Sequence, residues 1–183
     1  TLVMALAVAK GIRQTLGRDS REAAAKVGIK WPNDIVVDGK KVCGILTEMS
    51  MEQGYIHHIV IGVGINVRRQ EFSEEIRERA AAIDEQCGFC ISRSQLIADI
   101  MEAFEEDYEI FLQTLDLKGL RDSYAKLLLN QDREVCVLDP KGEYRGIARG
   151  INDQGELIVE RQDGTVEEVY AGEVSVRGIY GYV

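Results

Sequence analysis

Apolar residues crowd the start of this chain. Leu2 through Ala9 form an almost unbroken apolar run, followed by Ile12 and Leu16. A helix apolar on all sides is a buried one, and Gly17 is a suitable place for it to end. Ser20 to Val27 reads as a short second helix. The pattern then changes: Ile35-Val36-Val37, a turn at Asp38-Gly39, and Val42-Cys43-Gly44-Ile45-Leu46. Asp-Gly between two apolar runs predicts a β-hairpin, because the turn needs positive φ. Gly54 marks another turn, and Tyr55–Val67 reads as a third, long strand. Ser73 predicts a helix to about Glu85. Ser92 opens a further helix, with Gln95 completing a capping box and Ile91 and Leu96 forming a hydrophobic staple. Ile97, Ile100, Phe104, Tyr108 and Phe111 recur at spacings of three and four, predicting one apolar stripe. Leu117 to Leu129 reads as the last helix.

After Asn130-Gln131-Asp132 the spacing becomes that of short strands: Glu134–Leu138, Tyr144–Ile151, Leu157–Arg161, Val166–Tyr170 and Val174–Tyr180. Asp139-Pro140-Lys141-Gly142, Asn152-Asp153-Gln154-Gly155 and Gln162-Asp163-Gly164 separate them. Five short strands with regular turns predict a small closed barrel of SH3-like size. The expected class is α+β. A mixed or antiparallel sheet with flanking helices occupies residues 1–131, and the barrel residues 132–183.

The 183 residues carry a net charge of −9, which argues against nucleic acid as the main partner. No apolar stretch is long enough to span a bilayer. Cys43, Cys87, Cys90 and Cys136 appear without a secretory signal, so a reducing cytoplasm is the expected compartment. Cys87 and Cys90 have redox-motif spacing but lack the strand-to-helix context of a thioredoxin-like site. His57 and His58 are neighbours on one strand and face opposite sides, which rules out a joint metal site. The chain opens on Thr1 inside an apolar run, and termini are normally polar and loose. The expectation is that further sequence lies upstream.

Candidate chemistry concentrates in residues 30–48, Lys-Trp-Pro-Asn-Asp-Ile-Val-Val-Asp-Gly-Lys-Lys-Val-Cys-Gly-Ile-Leu-Thr-Glu. Asn33, Asp34 and Lys41 stand where a plain hairpin has no need of polar groups. Gly44 interrupts the second strand, as glycine does where a backbone or ligand approaches closely. Further on, Gly62-Val63-Gly64-Ile65-Asn66 sets alternate glycines on one strand face, opening a groove. Without a following helix this is no dinucleotide fingerprint. Each residue has a plainer reading: Lys41 as a solvated turn lysine, Asn33 and Asp34 as turn formers bonding backbone, and the glycines as structural.

The Lys-Trp-Pro-Asn-Asp run, the Gly-Lys-Lys-Val-Cys-Gly-Ile-Leu-Thr-Glu run and Gly-Val-Gly-Ile-Asn, in this order and spacing and followed by a small barrel, resemble the biotin–protein ligases. The resemblance implies a two-step reaction. Biotin's carboxylate attacks the α-phosphate of ATP, giving biotinyl-5′-AMP and pyrophosphate, and a lysine of a biotin carboxyl carrier protein then displaces AMP. It implies Lys41 as the catalytic and biotin-binding cation, with Gly44 and Leu46 on the biotin wall. Asn33, Asp34, Gly62, Gly64 and Asn66 fall on the nucleotide side, Asn66 toward adenine. Asp34 either orients Lys41 or helps place Mg²⁺. Glu173 and Arg177 of the last strand reach toward the nucleotide, or pair with each other on the surface.

One departure matters. The family's glycine- and arginine-rich loop over biotin and the adenylate, and the groups that bond the ureido ring, have no counterpart in these residues. The chain therefore reads as the C-terminal part of a ligase, with little activity alone. Rival readings are a lipoate–protein ligase, a biotin-responsive repressor whose DNA-binding part lies elsewhere, and a non-catalytic carrier-binding module. The strand edge around Thr47–Gly54 is a candidate for pairing with a second copy as a homodimer.

Overall fold

The computed structural model describes residues 1–52, 54–139, 142–170 and 175–178, with the backbone alone at 175–177. Helix α1 (Leu2–Gly17) is the centre of the packing, with Ala5 to Ala9, Ile12 and Leu16 buried. Ser20 caps α2 (Arg21–Ala25) by accepting from the Ala23 N–H at 3.1 Å. Four antiparallel strands follow in the order β1 (Val27–Lys30), β2 (Asp34–Val37), β3 (Lys40–Glu52) and β4 (Tyr55–Ile65). The β2–β3 turn puts Asp38 at φ 50° and Gly39 at φ 79°, the conformation for which Asp-Gly is suited.

Helix α4 (Arg93–Thr114) lies along α1. The approach is close because position 11 is glycine: a Cβ there would lie 2.5–2.7 Å from Ile100, including its backbone. Gly119 serves likewise, since its Cβ would lie 2.6 Å from the Ile110 side chain. Polar clamps join the two helices. Arg18, Thr15 and Gln95 all donate to the buried Asp99 carboxylate. These donors, Arg18 foremost, hold that carboxyl down at about 2. Lys10 pairs with the fully buried Asp107, whose carboxyl burial pushes above the usual range.

The C-terminal strands β5 (Glu134–Leu138), β6 (Tyr144–Ile151), β7 (Leu157–Glu160), β8 (Val166–Val169) and β9 (Ser175–Gly178) form one antiparallel sheet in the order β8-β7-β6-β5-β9. Val135, Val137, Ala148, Leu157, Val159 and Val169 face its core.

Several expected elements differ. Residues 73–85 are not one helix. Turns span 74–79, and α3 covers Ile83–Cys87 only. The Lys41 N–H donates to the Arg79 carbonyl and the Ala81 N–H to the Lys41 carbonyl, and this tie draws 79–81 out of a helix. Residues 117–129 hold only the short helix α5 (Arg121–Ala125). Around it the backbone bonds elsewhere: Leu117 N–H to Asp153, Ile29 N–H to Leu127 and Leu129 N–H to Ile29. On α4 the buried side is Leu96, Asp99, Ile100, Ala103 and Asp107. Ile97 and Tyr108, expected on the apolar stripe, are exposed. The capping box is half made: Ser92 accepts from the Gln95 N–H, while the Gln95 amide turns to Asp99. Leu96 and Ile91 are both buried.

Candidate active site

The site is built on the inner ends of β2, β3 and β4. Asp34 pairs with Gly44, Gly44 with Gly64, and Leu46 with Gly62, so these residues share one face of the sheet. Simple alternation from Gly44 would place Val42, not Lys41, on that face. The register shift between Ile35 and Val36, where Val36 pairs with Lys41 and Ile35 with Cys43, changes this. A bulge re-aims a side chain in this way. The Lys41 ammonium consequently reaches the Asp34 carboxylate and forms an ion pair with it. The pair is partly open to water, Lys41 at 36 % and Asp34 at 13 % side-chain exposure.

The three glycines have different reasons to be glycine. A Cβ on Gly44 would lie 3.1 Å from both Cε and Nζ of Lys41, so any larger residue presses on the amine. Added Cβ atoms at Gly62 and Gly64 would meet only the Leu46 and Gly44 carbonyl oxygens, at 3.7 and 3.8 Å. The protein itself leaves room for side chains there. Their absence opens a cleft of about 510 Å³ lined by Asn33, Lys41, Gly44, Ile45, Leu46, Gly62, Val63 and Gly64. Leu46 stands 64 % exposed at its rim.

The remaining candidates divide. Asn33 lines the cleft, but its side-chain amide donates to the Ile45 carbonyl at 2.8 Å and its own carbonyl accepts from the Ile45 N–H at 3.0 Å. Asn66 follows β4. Its N–H donates to Val42 at 2.8 Å, and its side-chain oxygen accepts from Gln70 at 3.0 Å. It does not line the cleft. Arg177 sits in β9 opposite Cys136, and Glu173 lies outside the described residues. Cys43, two residues from Lys41, is buried, and burial pushes its thiol up to about 12, which leaves it unreactive. His57 meets Glu52 at 3.1 Å on the exposed part of the hairpin. Among the described residues no three His, Cys, Asp or Glu side chains are grouped to hold a metal ion, and no helix is long and apolar enough to cross a membrane.

Sequence reasoning missed two contributors. Segment 79–81 bonds both the N–H and the carbonyl of Lys41, which a local pattern of charged residues does not reveal. Trp31 donates from its backbone N–H to the Asn130 side chain and from its indole to the Gly155 carbonyl, both at 2.9 Å.

Residues 1–66, which contain this whole cleft, match the Biotin/lipoate A/B protein ligase family, and residues 132–177 match the Biotin protein ligase C terminal domain. The chain belongs to the biotin protein ligase family. It is 34 % identical over 180 residues to the bifunctional ligase/repressor BirA of Bacillus subtilis, covering 96 % of this chain and 52 % of that protein. To the biotin–[acetyl-CoA-carboxylase] ligase of Paracoccus denitrificans it is 26 % identical, covering 81 % and 65 %. The apo structure of the biotin protein ligase from Aquifex aeolicus superposes with a TM-score of 0.78 at 26 % identity, covering 97 % of this chain and 75 % of that one. The same enzyme in complex with biotin and ATP gives 0.76 at 25 %. The chain thus spans about half the length of the curated BirA relatives it matches.

Proposed function

We propose that the protein to which this chain belongs is a biotin protein ligase, activating biotin with ATP to biotinyl-5′-AMP and passing it to a lysine of a biotin carboxyl carrier protein. The carrying observation is the Lys41 ammonium, held by Asp34 over a floor of glycines at the cleft. Two anions must meet in the first step, and a fixed cation between carboxylate and α-phosphate stabilises the charge as it develops. Asp34 orients that cation. Gly62 and Gly64 keep the sheet surface clear for flat ligand rings, and Leu46 supplies an apolar wall. Asn66 and Arg177 remain nucleotide-side residues in this reading on the strength of the family motifs. Mg²⁺ accompanying the phosphates would need one or two protein carboxylates, and Asp34, paired with the cleft-lining Lys41, is the candidate in this reading.

The domain plan belongs to the same proposal: a catalytic part to residue 131, and an SH3-like barrel from 132 built on the five antiparallel strands. The test is Lys41→Ala in the complete protein, read by biotin-dependent exchange of pyrophosphate into ATP. Loss of a transition-state cation predicts a drop of roughly 10²–10³-fold in kcat. Full retention would reduce the cleft to a binding surface. Calorimetric titration of the complete protein with biotin and with lipoate separates the two ligase classes.

A further inference from the structure

We infer that Trp31 is a positioning residue through which the C-terminal sheet sets the placement of the Asp34–Lys41 pair, an inference that rests on the ligase reading of the cleft. Trp31 is fully buried, and both of its N–H groups are held by residues far along the chain. Its backbone N–H donates to the side-chain oxygen of Asn130, and its indole to the carbonyl of Gly155, each at 2.9 Å. Two residues later Asn33 ties to Ile45 through its amide and its carbonyl, and Asp34 takes the Lys41 ammonium. A displacement of Trp31 is therefore carried by a four-residue backbone to the ion pair.

The far ends of these bonds are themselves fixed to the second sheet. The Gln131 side chain donates to the Arg149 carbonyl at 3.1 Å, the Asp132 N–H to Ala148 at 2.7 Å, and the Ala148 N–H to Arg133 at 2.9 Å. Asn130 stands between this tie and the parallel bridge of Ile29 with Leu128. The Gly155 loop is rigid in the same way. The Asn152 side chain accepts from the Gln154 and Glu156 N–H groups, the Asp153 carbonyl accepts from Leu117, and Arg121 pairs with Asp153. Gly155 has φ +85°, and a Cβ there would lie 2.8 Å from Leu117 and 2.9 Å from Leu2. Leu2 of α1 and Leu117 therefore stand directly against the backbone at this position. Asn130 is fully buried, yet its NH₂ group has no hydrogen-bond partner among the described residues. An unmet buried donor is destabilising, so what the side chain contributes comes through its oxygen, which accepts from Trp31.

The experiment uses the complete ligase with Trp31→Phe, which keeps an aromatic ring while removing the indole donor and part of the ring volume, and Asn130→Ala, which removes the backbone tie. Two quantities are read: kcat and KM for biotin-dependent ATP–pyrophosphate exchange, and the acetylation rate of Lys41 by acetic anhydride, by mass spectrometry with Lys40 as internal control. Misplacement of the reacting groups predicts a kcat lower by about 10-fold in each variant, with KM for biotin and ATP within about threefold. Lys41 should be acetylated about threefold faster as its pairing loosens, and Lys40 at an unchanged rate. A lower melting temperature with unchanged kcat, a rise in KM alone, or unchanged Lys41 labelling overturns the inference, and if one variant does not fold the other decides it. If the wild-type protein shows no biotin-dependent exchange, the ligase reading fails, and the Lys41 labelling still decides whether Trp31 controls the pair.

Discussion

Lys41 and Gly44 sit three positions apart, and only the bulge at Ile35/Val36 puts them on one face of the sheet. A methyl group at Gly44 would meet the lysine side chain at 3.1 Å, whereas one at Gly62 would meet nothing closer than 3.7 Å. Gly44→Ala is therefore expected to shift the amine and lower kcat by up to about 10²-fold in the complete ligase. Gly62→Ala should leave the unfolding free energy within about 0.5 kcal/mol while weakening ligand binding in the cleft. Chemical denaturation together with calorimetric biotin titration checks both. Equal effects of the two substitutions on stability and binding would contradict this division. The polar residues of the motif were legible as candidates because a plain hairpin has no use for them. The bulge that joins Lys41 to Asp34 was not, since period-two alternation points the other way.

Element by element, the helix pair α1–α4 depends on small and charged groups that hydropathy overlooks. Gly11→Ala drives a Cβ into the Ile100 backbone and is expected to destabilise by about 1–3 kcal/mol, the usual cost of overpacking, seen as a lower urea midpoint. The Asp99 clamp carries a pH signature. Its carboxyl is depressed to about 2, below its unfolded value of 3.8, mainly by the Arg18 bond. The stability it supplies is therefore complete above about pH 4 and is lost as pH falls toward 2. Asp107 is shifted the opposite way and contributes no loss in that window. Asp99→Asn should flatten the decline in urea stability between pH 4 and 2, and an unaltered slope would remove Asp99 from the account. The stripe expected on α4 included Ile97 and Tyr108, which lie outside the contact, while Asp99 and Asp107 lie inside it. Helical spacing gave the periodicity, but the buried side turns toward carboxylates because Lys10 of α1 and Arg18 at its C-cap neutralise them.

Across the whole molecule, β3 and β4 extend beyond the end of β2 as a two-stranded arm with Met49, Met51, Tyr55, Ile56, Ile59 and Val60 exposed. Exposed apolar side chains along an uncovered two-stranded arm favour association. The 183-residue chain is expected to self-associate with rising concentration, and Ile59→Lys to suppress this, as measured by sedimentation velocity. A wild-type chain that stays monomeric throughout would show the arm to be inert. The expectation placed the candidate edge at Thr47–Gly54. Residues Thr47–Glu52 are paired with β4 along one side, so the arm as a whole is the surface concerned. From the sequence alone came the order of elements, the Asp-Gly hairpin, the strand-rich C-terminal stretch and the motif residues, because turn chemistry, periodicity and local charge are written in adjacent positions. Tertiary structure decided what those positions meet. It turned 73–85 and 117–129 from predicted helices into backbone partners of Lys41 and Ile29. It also brought Gly155 to Trp31 across 124 residues. Such contacts depend on which buried N–H and C=O groups find each other once the layers close, and no local pattern records that choice.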